Sequence, residues 1–199
     1  MLSIGLTGGI GTGKSLVSNL LNDLGATIVN ADLLGHEAYL PDTVGFDMVV
    51  DAFGDQIVGE DGTVDRKKLG PIVFSSPQNM SKLNAIMHPL IRDMIQSQLE
   101  EYSSNGTDVV VVEAAVLIEA SWQDLFDEVW VVTSDKETVI ERLKDRNSLS
   151  REDAIARIES QMSNDERVGH SNVVISNDGT TDELADDVEQ IWNTRVVNN

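Results

Sequence analysis

The chain contains no cysteine. That excludes a disulfide framework, a thiolate metal site and a cysteine nucleophile, and it fits a reducing compartment, so a cytoplasmic protein is expected. Cations are scarce: 14 lysines and arginines face 34 aspartates and glutamates, for a formal net charge of −20. Such a surface repels a phosphate backbone, so nucleic acid is set aside as a partner. No run of about 18 apolar residues occurs, so no membrane partner is expected. The opening residues are apolar but lack a basic n-region, and they turn glycine-rich too early for a secretory h-region. They read instead as a buried strand. What remains, 41% hydrophobic and 24% charged residues over 199 positions, suits one globular domain with an inserted subdomain.

Short apolar runs alternate with longer periodic ones. Leu2–Thr7, Ala26–Asn30, Val109–Glu113, Glu128–Thr133 and Asn172–Asn177 read as strands. Lys14–Leu24 carries Leu16, Val17, Leu20, Leu21 and Leu24 at helical spacing before Gly25. Continuous apolar strands separated by helices indicate a mainly parallel sheet covered on both faces. Later helices are marked by capping-box patterns at Ser134 with Glu137, Ser150 with Asp153, and Thr180 with Glu183. From about Leu33 to Thr107 the rhythm breaks. All four prolines fall there, with no convincing central strand, and Asp65 and Ser76 are the expected helix starts. This stretch reads as a helical insertion.

Gly8-Gly9-Ile10-Gly11-Thr12-Gly13-Lys14-Ser15 satisfies G-x-x-x-x-G-K-[ST] between a predicted strand and a predicted helix, the context that defines a P-loop. Glycines let consecutive N–H groups curl around phosphate, and the helix N-terminus adds partial positive charge. Lys14 is expected to bridge the β- and γ-phosphates, and the Ser15 hydroxyl to ligate Mg²⁺. The chain is therefore expected to bind a nucleoside triphosphate.

The fate of the γ-phosphoryl depends on other residues. Asp32 follows the second strand, at the sheet edge where ligands sit in parallel folds. It can be read as the carboxylate that accepts a proton from an acceptor hydroxyl, or as a helix N-cap. Asp32-Leu33-Leu34-Gly35 also matches the D-x-x-G of GTPase switches, but no guanine-reading N/T-K-x-D follows a later strand. Arg142 and Arg146 stand at i and i+4, ahead of a second capped helix. They can belong to a lid that carries guanidinium groups to the phosphoryl, or pair with surface carboxylates.

The residues taken together resemble the dephospho-coenzyme A kinase family over essentially the full length. The likeness runs through Ile4–Ser15, Asn30-Ala31-Asp32, Asp61–Arg66 with Leu69 and Val73-Phe74, and His88-Pro89-Leu90-Ile91-Arg92. It continues through Asp127–Val132, Arg142 with Arg146, Gln161 and Val174–Gly179. The resemblance implies an α/β P-loop three-layer fold with a five-stranded parallel core sheet in the order 2-3-1-4-5. The core would comprise about 1–32, 108–141 and 163–199, with an acceptor-binding helical insertion at 33–107 and a small lid at 142–162. It implies transfer of the γ-phosphoryl of ATP, with Mg²⁺, to the ribose 3′-hydroxyl of dephospho-coenzyme A.

By the same resemblance Lys14, Asp32, Arg142 and Arg146 are catalytic. Gly8, Gly9, Gly11, Thr12, Gly13, Lys14, Ser15, Leu16 and Asn177 hold ATP, Asn177 bordering the adenine, while Asp32, Arg66, His88 and Arg92 meet the acceptor. Two departures stand out. Leu16 replaces the threonine or serine that commonly follows the P-loop serine. Glu113-Ala114-Ala115-Val116-Leu117-Ile118-Glu119 replaces Asp-x-Pro-Leu-Leu-x-Glu, so that Glu113 takes the acid's place behind the Mg²⁺ held by Ser15, with an extra methylene that shifts its carboxylate.

Overall fold

A computed structural model describes residues 1–197; the last two positions of the expected core stretch 163–199 lie outside them. Five strands, β1 (Leu2–Gly8), β2 (Thr27–Asn30), β3 (Val109–Glu113), β4 (Glu128–Thr133) and β5 (Val173–Ser176), form one sheet in the order β2-β3-β1-β4-β5. Every pairing is parallel, as the resemblance implied. β3 is buried along its whole length, which is why four consecutive valines suit it: a strand covered on both faces has no solvent side to alternate toward. The register sets Glu113 beside Leu6, two residues before β1 runs out into the glycine loop.

The helices are α1 (Lys14–Asp23), α2 (Ala31–Glu37), α3 (Val44–Phe53), α4 (Arg66–Phe74), α5 (Pro77–Ser104), α6 (Lys136–Asn147), α7 (Arg151–Glu159), α8 (Asn164–Val168) and α9 (Thr181–Trp192). α1 and α9 lay Val17, Leu21, Leu184, Val188 and Trp192 against Ile4, Leu6, Val111, Trp130 and Ile175 of the sheet. Burying each such Leu or Ile contributes roughly 1.5–3 kcal/mol. Trp122 and Trp130 are fully enclosed, in keeping with a packing role. A second cluster joins Val139, Ile140 and Leu143 of α6 to Ala154 of α7, with Ile10 of the glycine loop packed against it. The loop's one large side chain thus anchors it to the α6–α7 hairpin.

The chain forms two compact units, residues 1–30 with 99–199, and residues 31–98. The second comprises α2, α3, α4 and most of α5, with Leu34, Val49, Phe53, Leu69, Val73, Ile91 and Ile95 among its buried residues. Its one pairing of extended residues is a bridge between Val58 and Val64 around the Asp61-Gly62 turn. There the Thr63 N–H bonds the Asp61 carboxylate and holds its pKa below the usual range. The unit ends inside α5, because that 28-residue helix carries the chain onward to Leu99, itself buried.

Four local readings hold and one does not. Ser76 stands directly before α5, its hydroxyl accepting from Asn79 N–H at 3.3 Å. Asp65 caps α4 by accepting from Lys67 N–H, Ser150 caps α7 through Asp153 N–H, and Thr180 with Glu183 forms a complete capping box. Ser134 with Glu137 forms none: α6 begins one residue later, behind Asp135, and the Ser134 side chain is buried and bonded elsewhere. A missed box, Ser163 with Glu166, caps α8.

Candidate active site

The glycine loop ends in Gly13 at φ 96°, which delivers the chain into α1 without a side-chain cap. A Cβ on Gly13 would stand 2.0 Å from Nδ2 of Asn177, so only glycine fits. The first turn of α1 carries no acidic residue. Uncapped N–H groups and the positive end of the helix thus remain for an anion.

Two side chains from this turn converge on the end of β3. Ser15 Oγ donates to Glu113 Oε1 at 2.7 Å, and Lys14 Nζ lies 3.9 Å from the same oxygen. The side chains of Lys14 and Glu113 are only 15% and 11% exposed, so each charge offsets the other's desolvation. The extra methylene of Glu113 does not carry its carboxylate away: glutamate at this register reaches Ser15 directly. Among the described residues no group of three or more His, Asp or Glu is placed to hold a metal ion. A divalent cation here would take Ser15 Oγ, the Glu113 carboxylate and oxygens of a bound phosphate chain, the mixed set that Mg²⁺ favours.

The outer side of the loop is tied down at several points. Thr12 Oγ1 donates to Gly9 O at 2.9 Å, and Ile10 N–H donates to Gln161 Oε1 at 2.8 Å. Asn177 Nδ2 donates to Thr12 O at 2.8 Å. Arg142 reaches Gly11 O, Ser134 Oγ and Asn177 O at 3.3, 3.0 and 2.8 Å. A cavity of about 550 Å³ opens beside Gly9, Ile10 and Thr12, walled by α6, the end of α7 and the start of α8. Arg146, one turn beyond Arg142, is exposed and bonds its neighbour Asn147. The two arginines share a helix face in sequence and have unlike surroundings in the fold.

The expected acceptor residues all fall in residues 31–98. α2 starts at Ala31 directly out of β2, so Asp32 is an exposed residue of its first turn and not an N-cap. Asp32-Leu33-Leu34-Gly35 lies wholly inside that helix, unlike the mobile loop a GTPase switch requires. Arg66 is the exposed first residue of α4, and His88 and Arg92 are half-buried, one turn apart on α5.

Sequence reasoning assigned no role to Gln161, misread Ser134 and missed Arg167. Arg167 is fully buried in α8, donating to Glu119 Oε1 at 2.6 Å and pinning the turn after β3. Glu119 keeps a side chain 30% exposed while Arg167 is enclosed, so nothing in the local sequence of either residue marked the pair.

A parallel sheet in this order, with a glycine loop leading into α1 and a serine–carboxylate pair at the next strand's end, defines a P-loop kinase. Solved shikimate kinase from Acinetobacter baumannii has the same fold, with a TM-score of 0.57 over 100% of this chain and 95% of its own at 13% identity. A model of the dephospho-CoA kinase family matches residues 2–183. The curated dephospho-CoA kinase of Geobacter sulfurreducens is 46% identical over 96% of this chain and 98% of its own. That of Dehalococcoides mccartyi is 40% identical over 98% of both. The solved dephospho-CoA kinase from Campylobacter jejuni superposes with a TM-score of 0.76 at 25% identity, covering 99% of this chain and 98% of its own. The chain belongs to the dephospho-CoA kinase family and is a kinase.

Proposed function

We infer that the chain transfers the γ-phosphoryl of ATP to the ribose 3′-hydroxyl of dephospho-coenzyme A, releasing ADP and coenzyme A. The observation that carries this is the set formed by the uncapped α1 terminus, Lys14, Ser15 and Glu113 in a chain of this family. Main-chain N–H groups of the loop and α1 receive the phosphates. Lys14, held near Glu113, gives up part of that pairing to the β–γ oxygens as charge accumulates there. Ser15 Oγ and the Glu113 carboxylate fit a Mg²⁺ ion accompanying ATP, which supplies charge neutralisation across the phosphates.

Asp32 is assigned to the acceptor hydroxyl, taking its proton as the new P–O bond forms and the bond to the ADP oxygen breaks. Arg66, His88 and Arg92 are assigned to the acceptor, Asn177 to the rim of the adenine site, and 142–162 to a lid in which Arg146 is the arginine available to the phosphates. The test is ADP release with and without dephospho-coenzyme A. Turnover that requires the acceptor and prefers ATP to GTP is expected. ADP release indifferent to the acceptor would remove the assignment.

A further inference from the structure

We propose that Arg142 is a positioning residue of the P-loop: with Ser134 and Asn177 it fixes the loop's peptide planes from behind, and it does not act on the γ-phosphoryl as a lid arginine. The proposal rests on the kinase reading above and concerns how the same site is held ready for phosphate.

Three chain segments meet at this guanidinium. Nη1 donates to Gly11 O of the loop and to Ser134 Oγ from the β4–α6 link, and Nη2 donates to Asn177 O from the β5–α9 turn, with a longer contact to its Oδ1. Ser134 Oγ donates to the same Asn177 carbonyl at 2.7 Å, and Asn177 Nδ2 continues to Thr12 O. Ser134 is 3% exposed and Asn177 4%, so these bonds have little water to compete with. Only a planar, multiply donating group satisfies this many carbonyl and hydroxyl oxygens at once.

The consequence follows from peptide geometry. In a trans peptide the C=O and the next N–H point in opposite directions. Holding Thr12 O toward Asn177 therefore turns the Gly13 N–H away from Asn177, and holding Gly11 O toward Arg142 turns the Thr12 N–H the other way, where it donates to Gly9 O and closes the loop's turn. The anion-binding face is set by what grips the carbonyls behind it. Gly13, at φ 96° and without room for a side chain on the Asn177 side, is the pivot of that arrangement. The positive charge of Arg142 also stands behind the loop of a protein whose net charge is −20, where it favours phosphate without touching it.

The proposal separates from two alternatives by ligand choice. Affinities of ATP, ADP and inorganic tripolyphosphate, each with Mg²⁺ and no acceptor, are measured by calorimetry on wild type, Arg142→Ala, Arg142→Lys and Ser134→Ala. A strut behind the loop is shared by every ligand with a β-phosphate, so Arg142→Ala should weaken all three by a similar factor, about tenfold or more. Binding stoichiometry should stay at one. Lysine, lacking the fork, should recover only part of the loss, and Ser134→Ala should give a smaller loss spread equally over the three ligands. If ATP weakens while ADP does not, Arg142 serves the γ-phosphate and the proposal is overturned. If ATP and ADP weaken while tripolyphosphate does not, it serves the base, with the same result; three unchanged affinities also overturn it. Should Arg142→Ala not fold, Arg142→Lys and Ser134→Ala carry the same comparison. Acceptor-dependent ADP release by wild type is scored separately, so failure of the assigned reaction and failure of the strut are distinguishable.

Discussion

Residues 1–30 with 99–199 present the nucleotide side as main-chain N–H groups whose reverse faces are bonded to buried side chains, with Lys14 and Ser15 close to Glu113. Residues 31–98 present their assigned groups differently: Asp32 and Arg66 are exposed at the starts of α2 and α4, and His88 and Arg92 are half-buried on α5. Backbone donors locked in a nest suit a ligand part that every phosphoryl donor shares, and they cost little to reuse. Side chains on helix surfaces can be exchanged without disturbing the core, which suits the part of a kinase that chooses its acceptor. On the proposed assignment, donor recognition is built into the sheet's packing and acceptor recognition falls to a separate helical unit.

The largest effect should come from the acceptor unit. Asp32→Asn keeps the shape of the side chain and removes its basicity, so kcat should fall about 10²–10⁴-fold. ATP affinity by calorimetry should change less than about twofold, because the phosphates are held by the other unit. A collapse of ATP affinity would erase the division of labour drawn here. Lys14→Ala should show the complementary pattern. A preorganised cation near the bridging oxygen is lost, costing on the order of 10²-fold in kcat, and Glu113 is left without the cation beside it. Binding of ATP and ADP should weaken together, while dephospho-coenzyme A binding alone is spared. Near wild-type kcat in Lys14→Ala would remove that residue from the chemistry.

The same division explains what was legible in the sequence. β3 and β4 announced themselves because a strand buried on both faces is a continuous apolar run, β1 through Leu2, Ile4 and Leu6 ahead of the glycine loop, and the loop itself because its spacing has one physical use. Asp65, Ser150 and Thr180 were readable as caps because each is the residue whose side chain accepts from an N–H of its helix's first turn. Ser134 was not: Ser134-x-x-Glu137 fits the box pattern, but Asp135 next door competes for the N-cap position, and the fold uses the Ser134 hydroxyl to bond Asn177, 43 residues away. Arg142 and Arg146 looked alike because i and i+4 share a face. They differ since α6 packs on the loop at Leu143 but runs out into solvent before Ser148 turns the chain at φ 52°. What Glu113 reaches was not legible from side-chain length, since the β1–β3 register and the Ser15 position decide it.

The smallest expected effect concerns charge, and it also separates the two units. Residues 31–98 carry ten acidic and five basic residues, whereas the remainder carries twenty-four and nine. Self-repulsion is therefore concentrated in the sheet unit. Salt acts on it in two opposed ways. It weakens exposed pairs such as Lys136–Glu159, Lys144–Glu141 and Arg151–Glu137, each worth about 1 kcal/mol or less. It also screens the many unpaired carboxylates, as the Debye length shrinks from about 10 Å at 0.1 M to about 3 Å at 1 M. With acids outnumbering cations by more than two to one, relief of repulsion should prevail. The melting temperature should rise between 0.1 and 1 M KCl by about 2–4 °C for each kcal/mol of repulsion removed. The Lys14–Glu113 pair, largely buried on both sides, and Arg167, enclosed at 1% exposure, should be less affected. A melting temperature that stays flat or falls over that range would mean the surface pairs outweigh the uncompensated charge, and the sheet unit would then not be the strained partner of the two.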